Sequence, residues 1–181
     1  MVTRGVWLTG LSGAGKTTIA KSLQEKLYLS GIAACVIDGD DLRSGLSKDL
    51  GFSESDRDEN VRRAAELARV VSQSGIFPIV SLISPLEKHR EIARKIADVA
   101  IVHVSTPLET CISRDPKGLY KKAHQGLVPL MTGTHQAYET PRNPDISIDA
   151  SVLSVADCVD SILRGVGTWK KSKSTTKTQD K

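Results

Sequence analysis

Gly10-Leu11-Ser12-Gly13-Ala14-Gly15-Lys16-Thr17-Thr18 satisfies G-x-x-x-x-G-K-[ST] at every fixed position: Gly10, Gly15, Lys16 and Thr17. Before it, Gly5-Val6-Trp7-Leu8-Thr9 reads as a short buried strand. After it, Ile19, Ala20, Leu23 and Leu27 recur at helical spacing, so the loop joins a strand to a helix N-terminus. A triphosphate is a dense polyanion whose desolvation is costly unless donors surround it. Glycines let several backbone N–H groups converge on one phosphate, and the helix dipole adds partial positive charge. In this pattern the backbone from Gly10 to Thr18, with Leu11, Ser12, Gly13 and Ala14, cradles the phosphates. Lys16 neutralises the β/γ oxygens and the Thr17 hydroxyl holds Mg²⁺. The stretch implies a nucleoside triphosphate site.

Outward from this loop, apolar runs alternate with helical patterns and no internal repeat is present. That indicates an α/β fold with a parallel β-sheet covered by helices on both faces. A second strand, Ala33 to Ile37, ends in Asp38-Gly39-Asp40-Asp41. Ser53 caps a helix from Glu54 to Ser74, with Val61, Ala64, Ala65, Leu67, Ala68 and Val71 on one side and Gly75 as its stop. Ile76 to Ile83 is a third strand, ending in Ser84-Pro85, and Leu86 to Ala97 a helix. Strand Val99 to Val104, a short helix after Pro107, strand Ile146 to Ile148 and a helix from Val155 to Leu163 complete the set. Between Arg114 and Pro144 the pattern breaks into a Gly- and Lys-rich region that reads as a lid segment. The 181 residues suit one domain, 1–167, with a Lys/Ser/Thr-rich tail, 168–181, read as disordered.

That tail carries five lysines and one aspartate, leaving 20 basic and 20 acidic residues elsewhere, so the net charge of +4 makes no case for nucleic acid. No apolar run approaches the ~20 residues of a membrane span, and the N-terminus lacks a signal-peptide core. Cys35, Cys111 and Cys158 are odd in number and far apart, which points to buried thiols in a reduced, cytoplasmic compartment. His89, His103, His124 and His135 lack metal-ligand spacing and read as surface or packing residues.

In an open parallel sheet, ligands sit beyond the carboxyl ends of the strands. Asp38 and Asp40 fall there, where a carboxylate holds a metal's water shell or takes a proton from an attacking hydroxyl. Helix N-capping accounts equally for one of them, Asp40 being the one that precedes Leu42-Arg43. Arg43, Arg57, Asn60, Arg62 and Arg63 cluster around Phe52, and guanidinium pairs suit a second anionic group distinct from the triphosphate. Arg62 and Arg63 fit as well on a solvated helix face beside Asp56, Asp58 and Glu59. Arg114-Asp115-Pro116-Lys117-Gly118-Leu119-Tyr120-Lys121-Lys122 opens the lid with side chains suited to closing over phosphoryl groups and excluding water.

Together these residues resemble the adenylylsulfate kinase (APS kinase) family. The resemblance rests on the loop at 10–18, Asp-Gly-Asp-Asp-Leu-Arg at 38–43, Gly-Phe-Ser at 51–53 and Asp-Arg-Asp-Glu-Asn-Val-Arg-Arg at 56–63. Ile-Ser-Pro at 83–85, Arg-Asp-Pro-Lys-Gly-Leu-Tyr-Lys-Lys-Ala at 114–123 and Tyr-Glu-Thr-Pro at 138–141 follow in the family's order, with only the tail outside. It implies a P-loop NTPase fold and transfer of the γ-phosphoryl group of ATP, with Mg²⁺, to the 3′-hydroxyl of adenosine 5′-phosphosulfate (APS). The product would be PAPS, made in sulfate activation by a homodimer. By resemblance the catalytic set is Lys16, Asp40 and Ser84, with Asp40 orienting or deprotonating the hydroxyl. Ser84 is described in the family as a phosphoserine intermediate; in-line transfer needs none, so Ser84 is read as a substrate contact. Arg43, Arg57 and Asn60 would hold the substrate nucleotide, Phe52 stack on its adenine, Ile83 line the pocket and Lys117 reach across from the lid. Arg114 would join the ATP site, and Thr17 and Asp38 the metal.

The chain departs from the family on the substrate side. Leu130-Met131 stand where Gly-Phe precedes the lid's Thr-Gly, so a softer methionine replaces the ring that closes the second adenine face. Asp41 replaces asparagine, Leu86 tyrosine, and Thr134-His135 Ile-Asp. Two other readings follow: a P-loop kinase whose acceptor has drifted, and a non-catalytic nucleotide-binding module docking a partner through its lysine tail. Intact Lys16, Thr17 and Asp40 argue against the latter.

Overall fold

The computed structural model describes residues 5–128 and 130–174, with side chains of the final helix described as far as Gly167. Five short runs pair into one parallel sheet, the three central ones buried on both faces and the two edge ones partly exposed. They are β1 (Val6–Thr9), β2 (Ala34–Asp38), β3 (Phe77–Ser81), β4 (Ala100–Val104) and β5 (Ile146–Ile148), in the order β2-β3-β1-β4-β5. Alternate residues of β1 serve opposite faces. Val6 and Leu8 pack with Ile79 and Val102 beneath α1 (Lys16–Leu29) and α7 (Val155–Ser174). Trp7 packs with Val80 and Ile101 beneath α3 (Glu54–Gln73) and α4 (Glu87–Ala97), whose Ala64, Ala65, Ala68 and Ala93 admit the bulky sheet side chains. The remaining helices are short: α2 (Gly39–Ser44), α5 (Leu108–Arg114) and α6 (Leu119–His124). Among the described residues no helix is long and apolar enough to cross a membrane.

The long helix α3 begins and ends where its sequence says it should. Ser53 is its N-cap, its Oγ accepting the Asp56 N–H at 3.2 Å, and Gly75, at φ 80°, follows its last turn. Two expectations fail. α7 does not stop at Leu163 but runs to Ser174, taking in the first residues of the segment read as a tail; 175–181 lie outside the described residues. Gly165 costs a helix roughly 1 kcal/mol, yet a Cβ there would stand 2.5 Å from Ile146 Cδ1, so the glycine is what lets α7 pack on β5. The lid is also less irregular than its composition suggests. Its α6 buries Tyr120, whose hydroxyl donates to the Ser12 carbonyl at 3.0 Å and pins the lid base to the phosphate loop.

Candidate active site

Beyond the carboxyl ends of β1, β2 and β3 lies a cleft of about 1080 Å³, walled by the phosphate loop, α2, the start of α3 and the lid. Ser12, Gly13, Gly15, Lys16, Thr17 and Thr18 line it. Gly13 must be glycine: its φ is 78° and a Cβ would sit 2.8 Å from the Cys111 carbonyl. Gly10, Leu11 and Ala14, all expected at the nucleotide, do not line the cleft. Gly10 and Leu11 act through carbonyls that accept from Lys16 Nζ at 2.9 and 2.8 Å, while Ala14 is buried in the core and its carbonyl accepts from Thr106.

Lys16 is only 8% exposed, and burial pulls its pKa down to about 8 against the opposing pull of Asp38. Only the protonated amine pairs with a triphosphate. Affinity of the free enzyme for Mg·AMPPNP is therefore expected to be full below pH 8 and to fall above it, by up to about tenfold per pH unit. Calorimetry between pH 7 and 9.5 checks this against Lys16→Met, in which the trend should vanish; a flat parental profile contradicts it.

Asp38 and Asp40 divide the roles that the sequence left open. Asp38, not Asp40, is the N-cap of α2: its Oδ1 accepts the Asp40 N–H at 3.0 Å, while Oδ2 accepts the Thr17 hydroxyl proton at 2.8 Å. The Asp40 carboxylate is thereby released from capping, and it meets Lys117 of the lid across the cleft.

The second cationic group forms around a ring. Phe52 is 52% exposed, with the Arg43 guanidinium 4.3 Å and the Arg57 guanidinium 5.6 Å from its centroid. Arg43 Nη1 donates to the Gly51 carbonyl at 2.8 Å. Arg57 Nε donates to the Phe52 carbonyl at 3.1 Å, and its Nη2 to the Leu130 carbonyl at 2.7 Å, which couples α3 to the lid. Burial lowers the pKa of both guanidinium groups. One turn along α3, Asn60 is buried on the same cleft with no partner for its Oδ1. Arg62 and Arg63 take the other course left open to them: Glu59 pairs with both, and Asp49 takes Arg63 in a bidentate bridge outside the cleft.

Ile83 and Ser84 form the floor. The Ile83 carbonyl accepts the Thr9 hydroxyl at 2.6 Å. Ser84 has a left-handed φ of 45°, held by Trp7 Nε1 donating to its Oγ at 2.9 Å and by Arg90 donating to its carbonyl at 2.8 Å. Ser84 is buried and lines the cleft with its oxygen engaged by the buried indole. Arg114 donates to the Ala150 carbonyl at 2.7 Å where the lid begins. Leu130 and Met131 line the cleft, but Met131 is 6% exposed and packs into the core, so Phe52 is the open ring of the pair of faces expected to clasp an adenine. His89 is fully buried at the edge of the cleft, its Nδ1 accepting the Leu86 N–H and its Nε2 meeting Asp58.

Sequence reading missed Ser81 and Thr132, both buried on the cleft with hydroxyls that have no partner. For Ser81 a signal existed, a polar residue within the apolar run 76–83, although β3 ends at Ser81 and not at Ile83. It missed Trp7 and Arg90 as well, because an indole inside a strand and an arginine on a helix announce packing and solvent.

The adenylylsulphate kinase family model matches residues 3–149. A relative from Halalkalibacterium halodurans is 49% identical over 163 residues, covering 88% of this chain and 78% of its own. The adenylyl-sulfate kinase of Clostridium kluyveri is 46% identical over 160 residues, 87% of this chain and 80% of that one. Among solved structures, the Mycobacterium tuberculosis APS kinase in complex with AMPPNP and APS superposes with a TM-score of 0.88 at 42% identity, over 91% of this chain and 98% of that one. The chain belongs to the adenylylsulphate kinase family.

Proposed function

We propose that this protein transfers the γ-phosphoryl group of ATP to the 3′-hydroxyl of adenosine 5′-phosphosulfate, giving PAPS. The observation that carries the reading is one cleft lined by two separate cationic groups, Lys16 in the phosphate loop and Arg43 with Arg57 around Phe52, and by the Asp40–Lys117 pair. Phosphoryl transfer leaves the protein little covalent chemistry to perform; positioning and charge supply most of the rate. Lys16 offsets charge on the donor phosphates. Arg43 and Arg57 hold the anionic group of the acceptor while Phe52 stacks on its base and Asn60 Oδ1 accepts from it. Asp40 orients the attacking hydroxyl and takes its proton, and Lys117 closes over the transfer from the lid. Ser84 donates to the acceptor and forms no phosphoenzyme.

Thr17 and Asp38 suit Mg²⁺: both offer hard oxygens, and two protein groups leave places for water and substrate phosphate. Thr17 keeps a lone pair for the ion while its hydroxyl donates to Asp38 Oδ2. Bound there, the ion would neutralise charge building on the phosphate oxygens. Family membership supports a homodimer in the cytoplasm, with sulfate activation as its setting; sedimentation velocity tests the dimer.

The deciding experiment measures ADP release from Mg·ATP with and without APS and identifies the product by mass. APS-dependent ADP with phosphorylated APS is the expected result. ADP release that answers better to another hydroxylated nucleotide would transfer the proposal to a different acceptor, the reading favoured by the burial of Met131.

A further inference from the structure

We propose that the Ser81 hydroxyl is a positioning group for the metal–triphosphate complex, hydrogen-bonding a water of the bound Mg²⁺. The inference rests on the nucleotide-binding half of the reading above and is independent of the acceptor.

Three observations carry it. Ser81 is 3% exposed, and its Oγ has neither solvent nor a hydrogen-bond partner, although it lines the cleft. A buried hydroxyl left unpaired is destabilising, so it persists where a ligand completes it. Second, register places it. Ser81 ends β3 opposite Asp38 of β2 and Leu8 of β1, the strand that feeds the phosphate loop. Residues in register on parallel strands share a sheet face. Phe77 and Ile79 precede Ser81 at alternate positions, as Ala34 and Val36 precede Asp38, and all four pack on the face that α1 covers. Ser81 and Asp38 thus end the same face, at the end of α1 where Thr17 donates to Asp38. Third, P-loop proteins commonly hold Mg²⁺ with the loop's Ser/Thr and an aspartate from a neighbouring strand. Here the aspartate ends the edge strand β2, and the central position between it and β1 carries a serine. A hydroxyl is too weak a ligand to replace that carboxylate, but it suits a water that the ion retains. Ser47 Oγ is also unpaired, but it does not line the cleft.

The test is Mn²⁺ binding to the intact protein saturated with AMPPNP, counted from the free-ion electron paramagnetic resonance signal, in parent and Ser81→Ala. Removing a group that holds a metal ligand in place typically weakens metal affinity about 10- to 100-fold. A loss of at least about tenfold in Ser81→Ala is expected, with AMPPNP affinity in EDTA unchanged. The ligand-free Tm should hold or rise by a few degrees, since the substitution removes an unpaired buried hydroxyl. Unaltered Mn²⁺ affinity would overturn the proposal. So would equal losses with and without metal, which would place the hydroxyl on the phosphate itself. A parent that binds no Mn·AMPPNP would overturn the nucleotide reading beneath it.

Discussion

Lys16→Ala should abolish turnover for practical purposes, with kcat/KM for ATP falling about 10³-fold, equivalent to ~4 kcal/mol of lost transition-state stabilisation. The size follows from burial. Lys16 is held in a dry loop by the Gly10 and Leu11 carbonyls, where its charge is poorly screened and no other lysine of the chain is comparably enclosed among the described residues. The loop itself should survive, because Ala14 N–H donates to the Leu11 carbonyl and Thr106 to that of Ala14. Steady-state kinetics together with a thermal melt separate the two effects. A variant within about tenfold of the parent, folded or not, would refute the assignment of Lys16 to the donor phosphates.

Asp40→Asn should cost about 10²- to 10³-fold in kcat with a small change in KM for ATP, the loss expected when a positioned general base is removed. Its stability effect should be slight, within about 2 °C in Tm. The cap of α2 is Asp38, so the amide replaces no capping oxygen, and the Lys117 pair it breaks is exposed on both sides and worth at most about 1 kcal/mol. Asp38→Asn makes the useful contrast, since that carboxylate caps a helix and accepts from Thr17 at once. If Asp40→Asn retains kcat while Asp38→Asn loses it, the catalytic carboxylate has been misassigned within one strand end.

The features legible before folding are those that depend on neighbours in the chain. The phosphate loop is legible because its fixed residues lie within nine consecutive positions. The Ser53-to-Gly75 helix is legible because a cap, an apolar stripe and a glycine stop act within a turn or two of their own position. The parallel sheet follows from alternation of apolar runs and helices, and kinship with the adenylylsulphate kinases follows from motifs that recur in order. What needed tertiary structure is whatever depends on a partner remote in sequence. Asp38 and Asp40 are the same residue type two positions apart, and only the approach of Thr17 and Lys117 separates a carboxylate tied to the helix cap and the phosphate loop from one that meets the lid. Arg57 and Arg63 lie six residues apart on one helix, yet Leu130 draws the first into the cleft and Asp49 draws the second out of it. Ser84 owes its conformation to Trp7 and Arg90, and Ser81 its isolation to the register of three strands. Local propensity carries information over a few residues; burial, charge pairing and hydroxyl satisfaction are settled only when distant segments meet.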